Sequence, residues 1–277
     1  MKIHSPEIYR NIMKEKILVD KKIKTITAIA KGFRLPRTTI SAWYHGRQPI
    51  YKFCVSTYNR KNFIKKIPNS AKILTPNKSY LLGVICGDGY INYKGYYVSL
   101  ETITIEFIRK FQERFTKVYG PDFCGSISPT CNGKQRIVIC GKEMTEDIKN
   151  YLPVKGSFCW KMPEAIKMAN EECKINFLRG FFDSEGSVNK RYSLEIHSSN
   201  KIGLNEIKEL LKDINIKTSE IKSKIKINKP RYVIYITGKK NIVRFISIIG
   251  TNIPHRLNEM KNLLLRYGLN PQIAQTN

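Results

Sequence analysis

Acidic residues are scarce in this chain. Against 49 lysines and arginines stand 22 aspartates and glutamates, a formal net charge of +27 over 277 residues. So one-sided a balance points to a polyanionic partner, with nucleic acid the first choice. Long hydrophobic runs are missing as well. No stretch approaches the roughly 20 residues needed to span a membrane, and no secretory signal is apparent. The seven cysteines, at 54, 86, 124, 131, 140, 159 and 173, include no Cys-x-x-Cys pair. That removes the usual zinc spacing and the disulfide framework of a secreted scaffold. An intracellular protein with free, mostly buried thiols is expected. The length suffices for one or two substantial cores.

What the chain does have is a repeat. Leu81-Leu82-Gly83-Val84-Ile85-Cys86-Gly87-Asp88-Gly89 returns as Leu178-Arg179-Gly180-Phe181-Phe182-Asp183-Ser184-Glu185-Gly186, 97 positions later. Both copies are apolar and carry small residues four apart, Gly83/Gly87 and Gly180/Ser184. On a helix such residues share a face, and a face without bulk lets two backbones come almost into contact. Each copy ends in an acid followed by glycine, read as a helix stop. Helices packed through these faces bring Asp88 and Glu185 side by side. Two adjacent carboxylates are costly unless neutralised, and a divalent cation with water and phosphate does that.

The register continues past the motif. Gly141, before Lys142, lies 53 residues after Asp88, and Gly238, before Lys239, lies 53 after Glu185. Between these landmarks each half shows a helical stripe, Ile108/Phe111/Phe115 and Ile207/Leu210/Leu211/Ile214, then a β-rich run. Each half reads helix, hairpin, helix, hairpin, helix. A period near 100 residues marks a duplicated domain rather than a solenoid.

Over roughly residues 76 to 268 the chain resembles the LAGLIDADG homing endonucleases of the two-motif, monomeric type. The resemblance implies an α+β fold, a pseudo-symmetric tandem αββαββα core with two saddle-shaped antiparallel sheets over the DNA major groove. It implies that Asp88 and Glu185, at the eighth motif position, bind metal and catalyse. The cofactor it implies is Mg²⁺ or Mn²⁺, with Ca²⁺ supporting binding without cleavage. The partner is double-stranded DNA, cut once per strand by a single chain. To the sixth position, Cys86 and Asp183, no role is carried over. A cleavage-inactive DNA-binding regulator or an intron-RNA maturase on the same scaffold is the alternative, with intron RNA as its partner. The chain starts with Met and lacks a terminal His-Asn, so a free-standing or intron-encoded protein is expected rather than a self-splicing intein.

Basic residues should flank the acids. Lys161 lies twenty residues after Gly141 and Arg256 eighteen after Gly238, so these two are the candidates, with Lys155 and Lys261 in competition. Lys222, Lys224 and Lys226 alternate with Ile221, Ser223, Ile225 and Ile227, which in a strand sets three lysines on one face. Lys229 and Arg231 extend the charge, making a face suited to DNA.

Residues 1–48 read as a helix-turn-helix-like module. A short pattern at Ile26–Ala30 is followed by Leu35-Pro36 and then Thr38–Trp43. A second helix starting near Arg37 would offer Arg37, Thr38, Thr39 and Ser41 to a groove, with Tyr44, His45 and Arg47 near its end. Residues 49–75 read as an extended linker, 76–165 as the first half-domain and 166–277 as the second.

Overall fold

The structure, a computed structural model, describes residues 24–33, 35–45, 65–130, 132–153, 158–189, 192–226 and 229–274, with isolated positions 11, 12, 15, 19 and 156; side chains at 224–226, 229 and 230 lie outside the description. The chain divides into two compact units, Met1–Ile64 and Lys65–Asn277.

The first unit contains α1 (Ile26–Gly32) and α2 (Arg37–Tyr44). Thr25 caps α1 by accepting a hydrogen bond from Ala28 N at 3.2 Å. The unit has its own small core of Ile12, Ile29, Ala30, Ile40, Trp43 and Tyr44. Arg37 and Thr38 are exposed; Thr39 and Ser41 are half-buried. Tyr44 departs from expectation. It is buried, with its hydroxyl 3.4 Å from the Ile12 carbonyl. Positions 40, 43 and 44 share one helical face, and that face is the core side. Arg47 and the stretch 46–64 lie outside the described residues.

The second unit begins at Lys65, so residues 65–75 belong to it. Lys66 pairs with Glu143 at 2.6 Å, Ile67 N donates to the same carboxylate, and Ala71 is buried. The first half runs α3 (Pro76–Cys86), β1 (Gly89–Asn92), β2 (Tyr97–Thr102), α4 (Ile105–Tyr119), β3 (Ser126–Pro129), β4 (Gln135–Cys140), α5 (Lys142–Tyr151) and the short α6 (Glu164–Lys167). The second half repeats it as α7 (Glu171–Glu185), β5 (Gly186–Asn189), β6 (Ser193–Ser198), α8 (Lys201–Asp213), β7 (Lys222–Lys226), β8 (Lys229–Ile236), α9 (Lys239–Ile248) and α10 (Pro254–Arg266). Two antiparallel four-stranded sheets result, ordered β1-β2-β4-β3 and β5-β6-β8-β7.

One core serves both halves. The amphipathic helices α4 and α8 lay Phe107, Phe111 and Phe115, and Leu204, Ile207 and Leu211, into it. Helix α3 is different, being buried from Lys78 to Cys86, as expected of a helix covered on all sides. Its start is set by Thr75, which accepts from Lys78 N, and by Pro76 in the first turn. Buried Lys78 is satisfied by Asp147 Oδ2 and the Ala71 carbonyl, both at 2.7 Å. Five free cysteines are described, and three of them, Cys124, Cys140 and Cys159, are exposed, against the expectation of mostly buried thiols. Among the described residues no helix is long and apolar enough to cross a membrane.

Candidate active site

The motif helices α3 and α7 cross through their small faces. A Cβ at Gly83 would collide with the Phe177 carbonyl oxygen and stand 2.9 Å from Phe181 N. A Cβ at Gly180 would collide with the Tyr80 carbonyl oxygen and stand 3.1 Å from Val84 N. One turn on, Ser184 Oγ donates to the carbonyls of Gly180 at 3.2 Å and Val84 at 3.4 Å. A Cβ at Gly87 would lie 3.2 Å from Glu185 Cγ. The helices run the same way, so Asp88, next to Gly87, and Glu185 meet at one end of the interface.

The glycines that follow the acids are not left-handed helix stops. Helix α3 ends at Cys86, before the acid, and α7 ends at Glu185 with Gly186 extended at φ −88°. Space explains them instead. A Cβ at Gly89 would stand 2.6 Å from Ile85 Cα, and one at Gly186 would enter the Phe182 ring.

Both carboxyls sit in surroundings that oppose their charge. Burial pushes the Glu185 carboxyl up to about 7, Asp88 adds to the rise, and Arg231 opposes it. Burial raises Asp88 too, against the pull of Arg256 and then Lys134. The folded, metal-free protein therefore holds a proton on Glu185 between about pH 4.5 and 7 that the unfolded chain releases. Its stability should fall as pH rises through that window and level off above it. Glu185→Gln should lack this component, gaining roughly 2–3 kcal/mol on wild type between pH 5 and pH 8. Melting in a chelator at both pH values measures the difference, and parallel curves would place Glu185 in water.

Arg256, in the first turn of α10, is tethered to the second motif helix. Its Nη1 donates to the Phe182 carbonyl at 2.6 Å and its guanidinium lies 5.3 Å from the Phe182 ring centre. Buried Asp183 fixes the loop before α10, accepting from Tyr80 Oη at 2.8 Å, Thr251 Oγ1 at 2.5 Å and Asn252 Nδ2 at 3.0 Å. Cys86, its counterpart in α3, is buried with its thiol pushed up by burial.

Lys161 is placed elsewhere. It is exposed and lines a cleft of about 870 Å³ with Lys66, Glu143, Asp147, Tyr151 and Glu164. Lys261 lies farther along α10, and Lys155 is outside the described residues. Lys222 is exposed, its ammonium 5.4 Å from the Tyr235 ring centre. The backbone register sets Lys224 opposite Arg231 and Lys226 opposite Lys229. Two groups on this sheet escaped the sequence analysis: His197 Nε2 lies 3.1 Å from Glu195 Oε2, and Asn189 donates to the same carboxylate. Alternation along β6 puts both on the lysine-bearing face, a signal that strand pairing alone makes visible.

Among the described residues no group of three or more His, Cys, Asp or Glu side chains could hold a metal ion. The Asp88–Glu185 pair still fits a hard divalent cation. It offers two carboxylates, one exposed and one half-buried, whose adjacent charges need an offset, and Mg²⁺ ordinarily completes its shell with water and phosphate oxygens.

The sequence profile of the LAGLIDADG-like domain matches residues 172–250. The complete two-half core has the LAGLIDADG fold. A crystal structure of an I-DmoI variant with its target DNA and Mn aligns over 66% of this chain and 96% of that one, with a TM-score of 0.50 and 20% identity; I-DmoI is described as a homing endonuclease. Among curated proteins, the probable cell division protein WhiA of Ruminiclostridium cellulolyticum is 38% identical over 105 residues, which are 37% of this chain and 31% of that protein. An uncharacterized protein of Methanocaldococcus jannaschii is 25% identical over 215 residues, 72% of this chain and 64% of that one. The chain thus spans a third to two thirds of the length of these two relatives.

Proposed function

We propose that this chain is a site-specific DNA endonuclease of the homing type, making a metal-dependent double-strand break with one strand cut beside each acid. The observation that carries the reading is the pair Asp88 and Glu185, delivered by two duplicated helices to one point and held there against their own charge. A protein that only binds DNA gains nothing from paired carboxylates facing phosphate. Asp88 and Glu185 would hold the cation, which supplies a water of lowered pKa and charge for the phosphate. The protein's residues do the rest. The crossing of α3 and α7 fixes the acids, and Arg256, tethered to Phe182, supplies positive charge beside Asp88. In the reaction a water oxygen bonds to phosphorus, the bond to the departing sugar oxygen breaks, and that oxygen leaves with a proton.

The second reading is a DNA-binding regulator without cleavage, or a maturase acting on intron RNA. The likeness to a protein named for cell division favours the first of these. Incubating the protein with a library of duplex sites in Mg²⁺ or Mn²⁺, then sequencing the ends, separates the readings. Retention of intact sites in Mg²⁺, Mn²⁺ and Ca²⁺ alike would support the regulator.

The charge of +27 should make binding steeply salt-dependent. If about ten phosphates are neutralised, log K against log salt should fall with a slope near −9. A slope shallower than about −3 would remove the lysine strand from the DNA.

The N-terminal unit, with Arg37 and Thr38 exposed at the start of α2, would extend the contact along one flank. A chain beginning at Lys65 keeps both acids and the whole second unit. It should fold and cut, yet bind roughly tenfold to a thousandfold more weakly. Footprints of the two forms on one duplex test this, and identical footprints would make the unit a packing element.

A further inference from the structure

The strand ladders identify a pair of cations that linear spacing misses. In the first sheet the last rung between β2 and β4 is Thr102–Gln135, and the residue before Gln135 is Lys134. In the second sheet the last rung between β6 and β8 is Ser198–Tyr232, and the residue before Tyr232 is Arg231. Lys134 and Arg231 thus occupy the same topological position. They are also 97 residues apart, the register that relates Asp88 to Glu185. Arg256 and Lys161 have no such mates, for their counterparts are Cys159 and Asn258.

Both rungs lie at the acid end of their sheets. Strand β1 starts at Gly89 opposite Leu100, so Asp88 adjoins the end of the ladder where β2 continues to Glu101. Strand β5 starts at Gly186 opposite Ile196, so Glu185, the last residue of α7, adjoins the end where β6 continues to His197. Glu101 faces Arg136 on β4, and His197 faces Val233 on β8. Lys134 and Arg231 each precede those partners by two residues, so both lie at the end of their sheet that adjoins an acid. The ammonium of Lys134 is 3.7 Å from Glu101 Oε1, so it turns back toward the end of β2 that adjoins Asp88.

We propose that Lys134 and Arg231 are the symmetry-related catalytic cations, each contacting the scissile phosphate cut beside its own acid. The assignment rests on the nuclease reading. As the water oxygen bonds to phosphorus and the bond to the leaving oxygen breaks, negative charge gathers on the phosphoryl and leaving oxygens. A fixed ammonium or guanidinium offsets that charge and moves no proton. The water's proton passes to solvent, and the leaving oxygen takes one from solvent. Glu101 is an exposed partner that Lys134 can exchange for phosphate at little cost, because a solvent-screened surface ion pair contributes little.

The test uses the full chain on a duplex carrying a site it cuts, with the two strands labelled separately. Lys134→Met and Arg231→Met should each slow one strand by roughly a hundredfold to a thousandfold. The slowed strand should differ between the two variants, so nicked DNA accumulates in both. Lys134→Arg and Arg231→Lys should recover most of the rate. Affinity in Ca²⁺ should change by less than about tenfold, since one phosphate contact is lost, and Lys161→Met should cut both strands normally. Equal slowing of both strands, no slowing, or an affinity loss that accounts for the whole rate effect would overturn the assignment. If the wild type cuts and these variants cut like it, the assignment alone fails. If the wild type binds its site and cuts neither strand in Mg²⁺ or Mn²⁺, the nuclease reading fails and takes the assignment with it.

Discussion

Asp88→Asn and Glu185→Gln should each abolish double-strand cleavage while leaving DNA affinity in Ca²⁺ within a few-fold of wild type. Each substitution keeps the shape of the side chain and removes the charge that a divalent cation needs. Loss of a carboxylate ligand should lower the rate at its own centre by roughly three orders of magnitude or more, because the cation provides both the nucleophile and the charge stabilisation. Binding should persist because it rests on lysines and arginines spread over the sheet faces and not on the acids. Glu185→Gln should also be more stable than wild type at pH 8 without metal, since burial and the neighbouring Asp88 oppose ionisation there. More stability with less activity is the signature of a strained functional site, whereas a structural pair of acids would lose both together. Strand-resolved cleavage, Ca²⁺ binding and melting on the same preparations separate the cases. Full double-strand cleavage by either variant would remove that acid from the metal site.

How far the sequence reveals this site depends on how local the signal is. The motif helices are legible because small residues four apart lie on one face by helix geometry alone, and because the pattern occurs twice. From that crossing the meeting of Asp88 and Glu185 follows. Arg256 was proposed from its offset from Gly238, whereas what holds it, the Phe182 carbonyl and the loop fixed by Asp183, joins residues about 70 positions apart. Lys134 and Arg231 were not singled out for the centre. Their place at the acid end of each sheet is set by hairpin register, fixed by loop lengths and by which strand faces which, and linear offsets do not record it. Lys161 shows the converse failure: a matched offset from a glycine landmark whose chain has departed to another cleft. Tyr44 was misread for a related reason, since its spacing from Ile40 fits the core side of α2 as well as a groove-facing end. The acid-glycine ending was correctly singled out and wrongly explained, because the demand on Gly89 and Gly186 is room beside Ile85 and Phe182 rather than a left-handed backbone.

The other large effect should come from a single methyl group. Gly83→Ala and Gly180→Ala should each destabilise the second unit by roughly 2–3 kcal/mol, the upper part of the usual range for overpacking. The added Cβ meets a backbone carbonyl oxygen in both cases, Phe177 O from Gly83 and Tyr80 O from Gly180, and a backbone cannot rotate aside as a side-chain end can. The helices must separate, and the buried contacts of both α3 and α7 loosen with them. For a unit of this size the loss corresponds to a melting shift of roughly 5–10 °C. Gly32→Ala supplies the contrast. It lies at the end of α1 with nothing within 4 Å of the new Cβ, so it should gain up to about 1 kcal/mol in the first unit from helix propensity. The double variant Gly83→Ala/Gly180→Ala should cost less than the sum of the single ones, because once one methyl has parted the helices the other finds space, and neighbouring sites at one interface are coupled. Separation should also move Asp88 from Glu185, so cleavage should fall further than the population of folded protein explains. Unchanged melting in both single variants, or strict additivity in the double, would mean that the two helices do not meet through these glycines.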